Sequence, residues 1–387
     1  MSTQAVRALI LSGGGGRGAF HAGVYKYLMK NHKVNVDSNH TGAWDPQIIV
    51  GTSIGAVNGA AIAQGMHADH LVEVWKSLEE QDIQGLPPGM RGIARWMAGR
   101  VFREVMDTKL LQIKPEDATS PTPREFWPPL PLLPRWVAER FIGYWINLLD
   151  TGPLRKTLFT HFGLDEKKLA ESEKALLIAA TKVRTGERVL FSNRKVMDHK
   201  RGEHRRDVFT GITADRILAS CSIPLVYPWT FDQETESYYW DGALVANTPL
   251  GVAIDMMGGD TNVPAEVVVV MMTPWWESSD PAPAKAESEP KSFGDAITWM
   301  LDWMLLASFR ENLKMIRVFN EMAALERKEN APPYRYRHVT PIIVSPLEFL
   351  RAERIIDYDG DVSARLIEEG FKAAKHAFEK AFPLSQT

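Results

Sequence analysis

The chain has one cysteine, Cys221, among 387 residues. A lone thiol closes no internal disulfide and supplies no cysteine-rich zinc site, so a reducing compartment is expected. No apolar run approaches the roughly 18 to 20 residues that a membrane-spanning helix needs. The N-terminal run Ala8 to Leu11 is far short of a secretory signal core. Net charge is also scarce: 45 basic against 48 acidic side chains leave -3, which excludes a generic polyanion binder and sets nucleic acid aside. No cluster of histidine, cysteine and carboxylate recurs at ligand spacing, so neither a metal nor an organic cofactor is called for. What remains is a globular chain, expected to be cytoplasmic and at most peripheral at a membrane.

Short apolar runs alternate with helical patterns, which predicts a largely parallel sheet covered by helices. The expected strands are Arg7 to Leu11, Gln47 to Val50, Ala175 to Ala180, Arg188 to Phe191, Glu266 to Met272 and Pro341 to Val344. Helices are expected over Gly18 to Lys30, Ser53 to Gly65, Asp69 to Glu80, Thr213 to Ser220 and Val362 to Phe382, with a further apolar helix opening FGDAITWMLDWMLLASF. Two segments break the rhythm. Residues 84–150 cluster prolines and large aromatics and read as an insertion, while 277–292 carry no large apolar side chain and read as a solvated loop.

Chemistry could reside in three places. The first is Ser12 to Phe20, SGGGGRGAF, between a strand and a helix. Successive glycines leave amide hydrogens uncovered, and a following helix N-terminus adds positive potential, so the loop suits a phosphate or a transient oxyanion. Gly13, Gly15 and Gly18 also satisfy G-x-G-x-x-G, yet no acid closes the second strand to hold a ribose, and no Lys-Ser follows as in a P-loop. The second is Gly51-Thr52-Ser53-Ile54-Gly55, a G-x-S-x-G in the strand–turn–helix setting that pushes a serine out of the sheet. The third is Asp241-Gly242-Ala243, at the end of the aromatic run Tyr238 to Trp240 and followed by Asn247 and Pro249; taken alone, Asp-Gly is more often a turn than a site.

Together, GGGGRG, GTSIG followed by AVNGA, ASCSIPLVYP and DGALVANTP resemble the patatin-like phospholipase family in its bacterial form. The likeness spans about residues 7–255 and implies a patatin-like catalytic domain there. It implies a three-layer α/β/α sandwich; the likeness does not reach 84–150, which from its own residues reads as a helical insertion that could act as a lid, or 256–387, which reads as a C-terminal helical extension completing the sheet. It further implies a Ser–Asp dyad without histidine: Ser53 as nucleophile, Asp241 as proton acceptor, the amides of Gly14, Gly15 and Gly16 as oxyanion hole, and Arg17 on the rim of the loop. Gly13, Gly18, Gly51, Gly55, Gly242 and Ala243 complete the motifs. Burial beside Tyr239 and Trp240 is expected to raise the Asp241 pKa enough for a base, with a pH profile free of an ionisation near that of histidine. A histidine triad is the competing mechanism, but His338 and His376, which follow Asp241, lack the expected loop setting, and His21 is expected to cap or pack the first helix.

The expected reaction is hydrolysis of phospholipid or lysophospholipid esters through an acyl-enzyme. Glycerides or simple esters, a nucleotide-dependent oxidoreductase and a silent lipid-binding protein stand as alternatives. Residues 91–105 and 137–149 each place apolar and aromatic side chains on one helical stripe, the first with arginines beside it, and are the expected lipid-surface contacts. The basic stretch Asn193 to Arg206 reads as a solvated loop, and Cys221 as a small buried residue.

Overall fold

The computed structural model describes residues 5–30, 32–35, 38–85, 149–198, 202–275, 293–329, 334–347 and 358–382. The first part of the chain forms β1 (Val6–Leu11), α1 (Ala19–Leu28), β2 (His32–Asn35), β3 (Ser38–Gly42), β4 (Ile48–Thr52), α2 (Ile54–Ala63), α3 (Ala68–Ser77) and α4 (Glu80–Ile83). After the insertion come α5 (Gly152–Thr160), α6 (Glu166–Glu171), β5 (Ala175–Lys182), β6 (Arg188–Ser192), β7 (Met197–Asp198), β8 (Glu203–His204), β9 (Val208–Thr210) and α7 (Ala214–Ser220). The remainder gives β10 (Thr230–Asp232), β11 (Ser237–Asp241), α8 (Ala243–Ala246), α9 (Leu250–Met256), β12 (Ala265–Val270), α10 (Phe293–Glu329), β13 (Ile342–Val344) and α11 (Gly360–Ala381).

The central sheet runs β10-β11-β5-β4-β1-β12-β13, with β6 and β9 branching from β5. Strands β5, β4, β1, β12 and β13 are parallel to one another; β11 and β6 run antiparallel to β5. Along the parallel strands, alternate residues enter two separate cores. Leu9, Leu11, Ile49, Leu176, Ile178 and Val268 pack under α1, α2, α3 and α11, whereas Ala8, Ile10, Val50, Leu177, Val267 and Val269 pack under α9 and α10. A sheet apolar on both faces needs a helical layer on each, and the result is the α/β/α sandwich. The apolar run that opens α10 continues as a helix to Glu329, well beyond the stretch legible as apolar.

One local arrangement sets up the site. Strand β6 occupies one edge of β5 from Leu177 to Thr181. On the other edge lies β4, with Thr52 opposite Ala179, and directly beyond it lies β11, with Asp241 opposite Ala180. Because β4 is parallel and β11 antiparallel to β5, their C-terminal ends meet head to head on that edge. Gly85 and Asp150, at the borders of the expected insertion, pair as an antiparallel bridge. Residues 86–148 and 276–292, which contain nearly all of both expected lipid contacts and the expected solvated loop, lie outside the described residues. Among the described residues, no helix is long and apolar enough to cross a membrane.

Candidate active site

Ser53 stands at the turn between β4 and α2 with φ 55° and ψ −128°. A positive φ strains a side-chain-bearing residue by about 1–3 kcal/mol, so the surroundings must hold it. The turn is tight enough that a Cβ on Gly55 would lie 2.2 Å from the Leu11 carbonyl oxygen, which only glycine permits. Gly51 precedes the turn as part of β4. The Ser53 amide donates to Ser220 Oγ at 2.8 Å, and the Ser220 hydroxyl donates to the Ala179 carbonyl at 2.6 Å. Thr52 Oγ1 donates to the Ala246 carbonyl at 3.2 Å, which ties the turn to α8.

Asp241 arrives from the opposite direction along the same edge of β5. Its amide donates to the Ser222 carbonyl at 2.8 Å, and Thr181 Oγ1 donates to its carbonyl at 2.9 Å. Thus the segment 220–222 grips both strand ends, Ser53 through a side chain and Asp241 through a carbonyl. Gly242 lets the chain turn away from the sheet: a Cβ there would sit 2.3 Å from the Ala179 oxygen. Ser53 and Asp241 are 4% and 3% exposed, and the Ser53 hydroxyl lies near enough to the Asp241 carboxylate to favour its charged form. That carboxylate accepts the Ala243 amide at 2.8 Å.

Burial without a cation pushes the Asp241 pKa up to about 7, against the weaker pull of the Ser53 hydroxyl and the Ala243 amide. A carboxylate poised there is a far better base at neutral pH than an exposed one. The rise has a consequence for the expected pH profile. An Asp241 ionisation near 7 falls in the histidine range, so a midpoint there no longer argues against a carboxylate base. Burial, with the Asp241 charge adding to it, pushes the Cys221 thiol well above its ordinary range, which keeps it protonated and inert beside the site.

The glycine loop closes the third side. A Cβ on Gly13 would fall 3.0 Å from Ser53 Cβ, 3.1 Å from Asn247 Oδ1 and 3.4 Å from Ala243 Cβ, so all three motifs meet at this point. Asn247 Oδ1 accepts the Gly13 amide at 2.7 Å. The turn Gly15–Gly18 is a short 3-10 helix whose first internal donor is the Arg17 amide, bonded to the Gly14 carbonyl at 3.3 Å. This geometry leaves the amides of Gly14, Gly15 and Gly16 without a partner inside the turn. Gly18 leads into α1, its carbonyl held by Asn58 Nδ2 at 3.0 Å.

Arg17 departs from expectation. Its side chain is not on the rim but 1% exposed beneath the loop, where Nη1 meets Asp302 Oδ1 of α10 at 3.3 Å. The loop is followed directly by a helix, and burial of the short turn draws the guanidinium inward to carbonyls and a carboxylate instead of solvent. Among the described residues, no histidine is hydrogen-bonded to Ser53 or Asp241. His21 is buried on α1 against Asn58, with burial holding its pKa down to about 3, and His338 and His376 are exposed. The basic stretch Asn193 to Arg206 is more structured than a solvated loop: Arg194 donates to the Ser172 and Glu173 carbonyls, and Arg205 pairs with Asp207 and Asp255. Ser220 and Asp302 escaped the sequence reading, and Asn247 was read there only as part of the loop after Asp241. The ASCSIP segment pointed at Ser220; nothing local pointed at Asp302.

A family model described as Patatin-like phospholipase matches residues 9–254. The match spans well over half of the chain, and the protein belongs to the patatin-like phospholipase family, a family of lipid acyl hydrolases. Membership removes the nucleotide-dependent alternative. No curated protein matches the chain. Its fold also aligns with the crystal structure of VipD from Legionella pneumophila at 14% identity and a TM-score of 0.42, covering 98% of this chain and 68% of that one.

Proposed function

We propose that the protein hydrolyses the carboxylic esters of phospholipids or lysophospholipids through an acyl-enzyme on Ser53. One observation carries this reading: β4 and β11 meet end to end on β5 and set the Ser53 hydroxyl near a buried carboxylate beside the glycine loop. Ser53 Oγ attacks the ester carbonyl carbon while its proton passes to Asp241. The carbonyl electron pair moves onto oxygen, and the Gly14, Gly15 and Gly16 amides stabilise that oxyanion; one such donor is worth about 3–4 kcal/mol. Collapse expels the alcohol, which takes the proton from Asp241. A water then gives its proton to Asp241 and attacks the acyl-enzyme; the acyl–Oγ bond breaks, Ser53 Oγ takes the proton from Asp241, and the fatty acid leaves. Each half-reaction returns Asp241 to its carboxylate form.

The test is intact-mass labelling with a fluorophosphonate, joined to turnover of a short aryl ester and of lysophospholipid. The wild type should gain one adduct, Ser53→Ala none, and Asp241→Asn should react about 10²- to 10⁴-fold more slowly. Turnover should rise through pH of about 7 as Asp241 ionises, and lysophospholipid should be cleaved faster than triacylglycerol. An undiminished adduct on Ser53→Ala would refute the nucleophile. Asp241→Asn turning over at the parent rate would return the base to a histidine. Faster cleavage of triacylglycerol would move the substrate to neutral lipid.

A further inference from the structure

The Arg17–Asp302 pair joins the glycine loop to a helix that begins after the family-matched span ends. Arg17 Nε donates to the Gly14 carbonyl at 3.3 Å, on the same oxygen that takes the Arg17 amide. Its Nη1 donates to the Met272 carbonyl at 3.0 Å, just past the end of β12, and to Asp302. Asp302 Oδ1 also accepts Thr273 Oγ1 at 3.0 Å. The arrangement therefore holds one specific oxygen of the loop from below.

That oxygen matters because of peptide geometry. Across a trans peptide bond the Gly14 C=O and the Gly15 N–H point in opposite directions. Gripping the carbonyl on the Arg17 side aims the Gly15 amide away from the guanidinium. A run of glycines has little intrinsic preference for either orientation of its peptide planes, so something outside the run must choose. The pair is also a poor choice for stability alone. Both side chains are 1% exposed, and Arg17 Nη2 and Asp302 Oδ2 have no hydrogen-bond partner among the described residues. Burying two charges and leaving polar atoms unpaired forfeits much of the gain from their attraction.

We infer that Asp302 is a positioning residue, which through Arg17 fixes the Gly14–Gly15 peptide so that the Gly15 amide faces the developing oxyanion. The inference rests on the acyl-enzyme reading above. It gives α10 a part in catalysis although no α10 side chain is assigned to touch the substrate. Asp302 orders Arg17, Arg17 orders the peptide, and the peptide meets the reacting oxygen.

The experiment compares the full-length protein with Asp302→Asn, Asp302→Glu and the paired replacement Arg17→Met with Asp302→Leu. The single change Asp302→Asn strips a buried cation of its counter-charge and can fail to fold. The paired apolar replacement has no such charge left over and keeps the side-chain volumes similar. Near-UV circular dichroism and Tm report its fold, short aryl ester kinetics its chemistry, and a trifluoromethyl ketone its hold on a tetrahedral oxyanion. The expected result is a folded double variant whose kcat falls about 10- to 100-fold at unchanged KM. Ketone affinity should fall by the same factor, and Asp302→Glu should recover part of both. A folded double variant with the parent kcat would overturn the inference, as would a kcat loss with ketone affinity intact. Ser53→Ala run alongside separates the two readings: if it keeps parent turnover, the acyl-enzyme itself has failed. If it is dead while the double variant is fully active, only the positioning role has.

Discussion

Two arginines of this protein are equally buried, 1% exposed each, and are satisfied very differently. Arg216, on α7, donates from Nε and Nη2 to both oxygens of Asp232, from Nη2 also to Glu234, and from Nη1 to the Thr210 and Gly211 carbonyls, all between 2.7 and 3.2 Å. Its guanidinium also lies 4.8 Å from the centre of the Phe191 ring. Arg17 makes longer bonds and, among the described residues, leaves Nη2 unpaired, as Asp302 leaves Oδ2. Asp241 is more extreme still, a buried carboxylate facing a hydroxyl and an amide with no cation beside it. The Arg216 charge is saturated, and the charges around the proposed reacting centre are not. A saturated group resists being moved and holds elements together. An unsaturated one keeps unspent interaction strength for a proton or an oxyanion.

This contrast predicts opposite rankings for stability and activity. Arg216→Met should have the largest structural effect, a loss of about 3–5 kcal/mol from leaving Asp232 without its cation, with kcat per folded molecule within about threefold of the parent. Chemical unfolding and active-site titration together read this, and a kcat collapse in the folded fraction would erase the distinction. Asp241→Asn should do the reverse. The native carboxyl titrates near 7 against an ordinary 3.8, so between these values the folded state holds a proton that the unfolded chain has lost. Wild-type stability should therefore fall as pH rises from about 4 to about 7, by up to about 4 kcal/mol from this group. The asparagine variant should lack that slope, being more stable than wild type at pH 8 and equal to it near pH 3, while turnover is lost. Unfolding curves at several pH values decide it, and parallel slopes would mean the carboxylate is less isolated than its surroundings imply. Ser220→Ala should have the smallest effect. It leaves the Ser53 amide unpaired in a strained turn, at a cost of about 1–3 kcal/mol, and should slow fluorophosphonate labelling of Ser53 about tenfold. An unchanged labelling rate would make Ser220 a purely structural brace.

Legibility followed distance along the chain. The expected strand starting at Arg7 and that starting at Ala175 appear with one or two residues added, because apolar periodicity and flanking glycines act within a few residues. The turn at Ser53 was visible for the same reason: strand, glycine, serine and glycine follow each other directly. Arg17 was misread because the sequence places it among exposed-looking glycines, whereas its partner is 285 positions away. Ser220 lies 167 positions from the amide that it holds, and a serine beside a cysteine and another serine carries no local mark of that duty.

By itself the amino-acid order determined the sharp bend that carries Ser53, the uncovered amides of the glycine loop and a sheet apolar on both faces, since backbone sterics and side-chain alternation are settled between near neighbours. Only the folded chain decided that β11 takes the edge of β5 just beyond β4, that Asp241 is stripped of water there, and that Arg17 turns inward to a helix far along the chain. Those outcomes depend on which distant surfaces close against each other, and desolvation and charge pairing act only once they have closed.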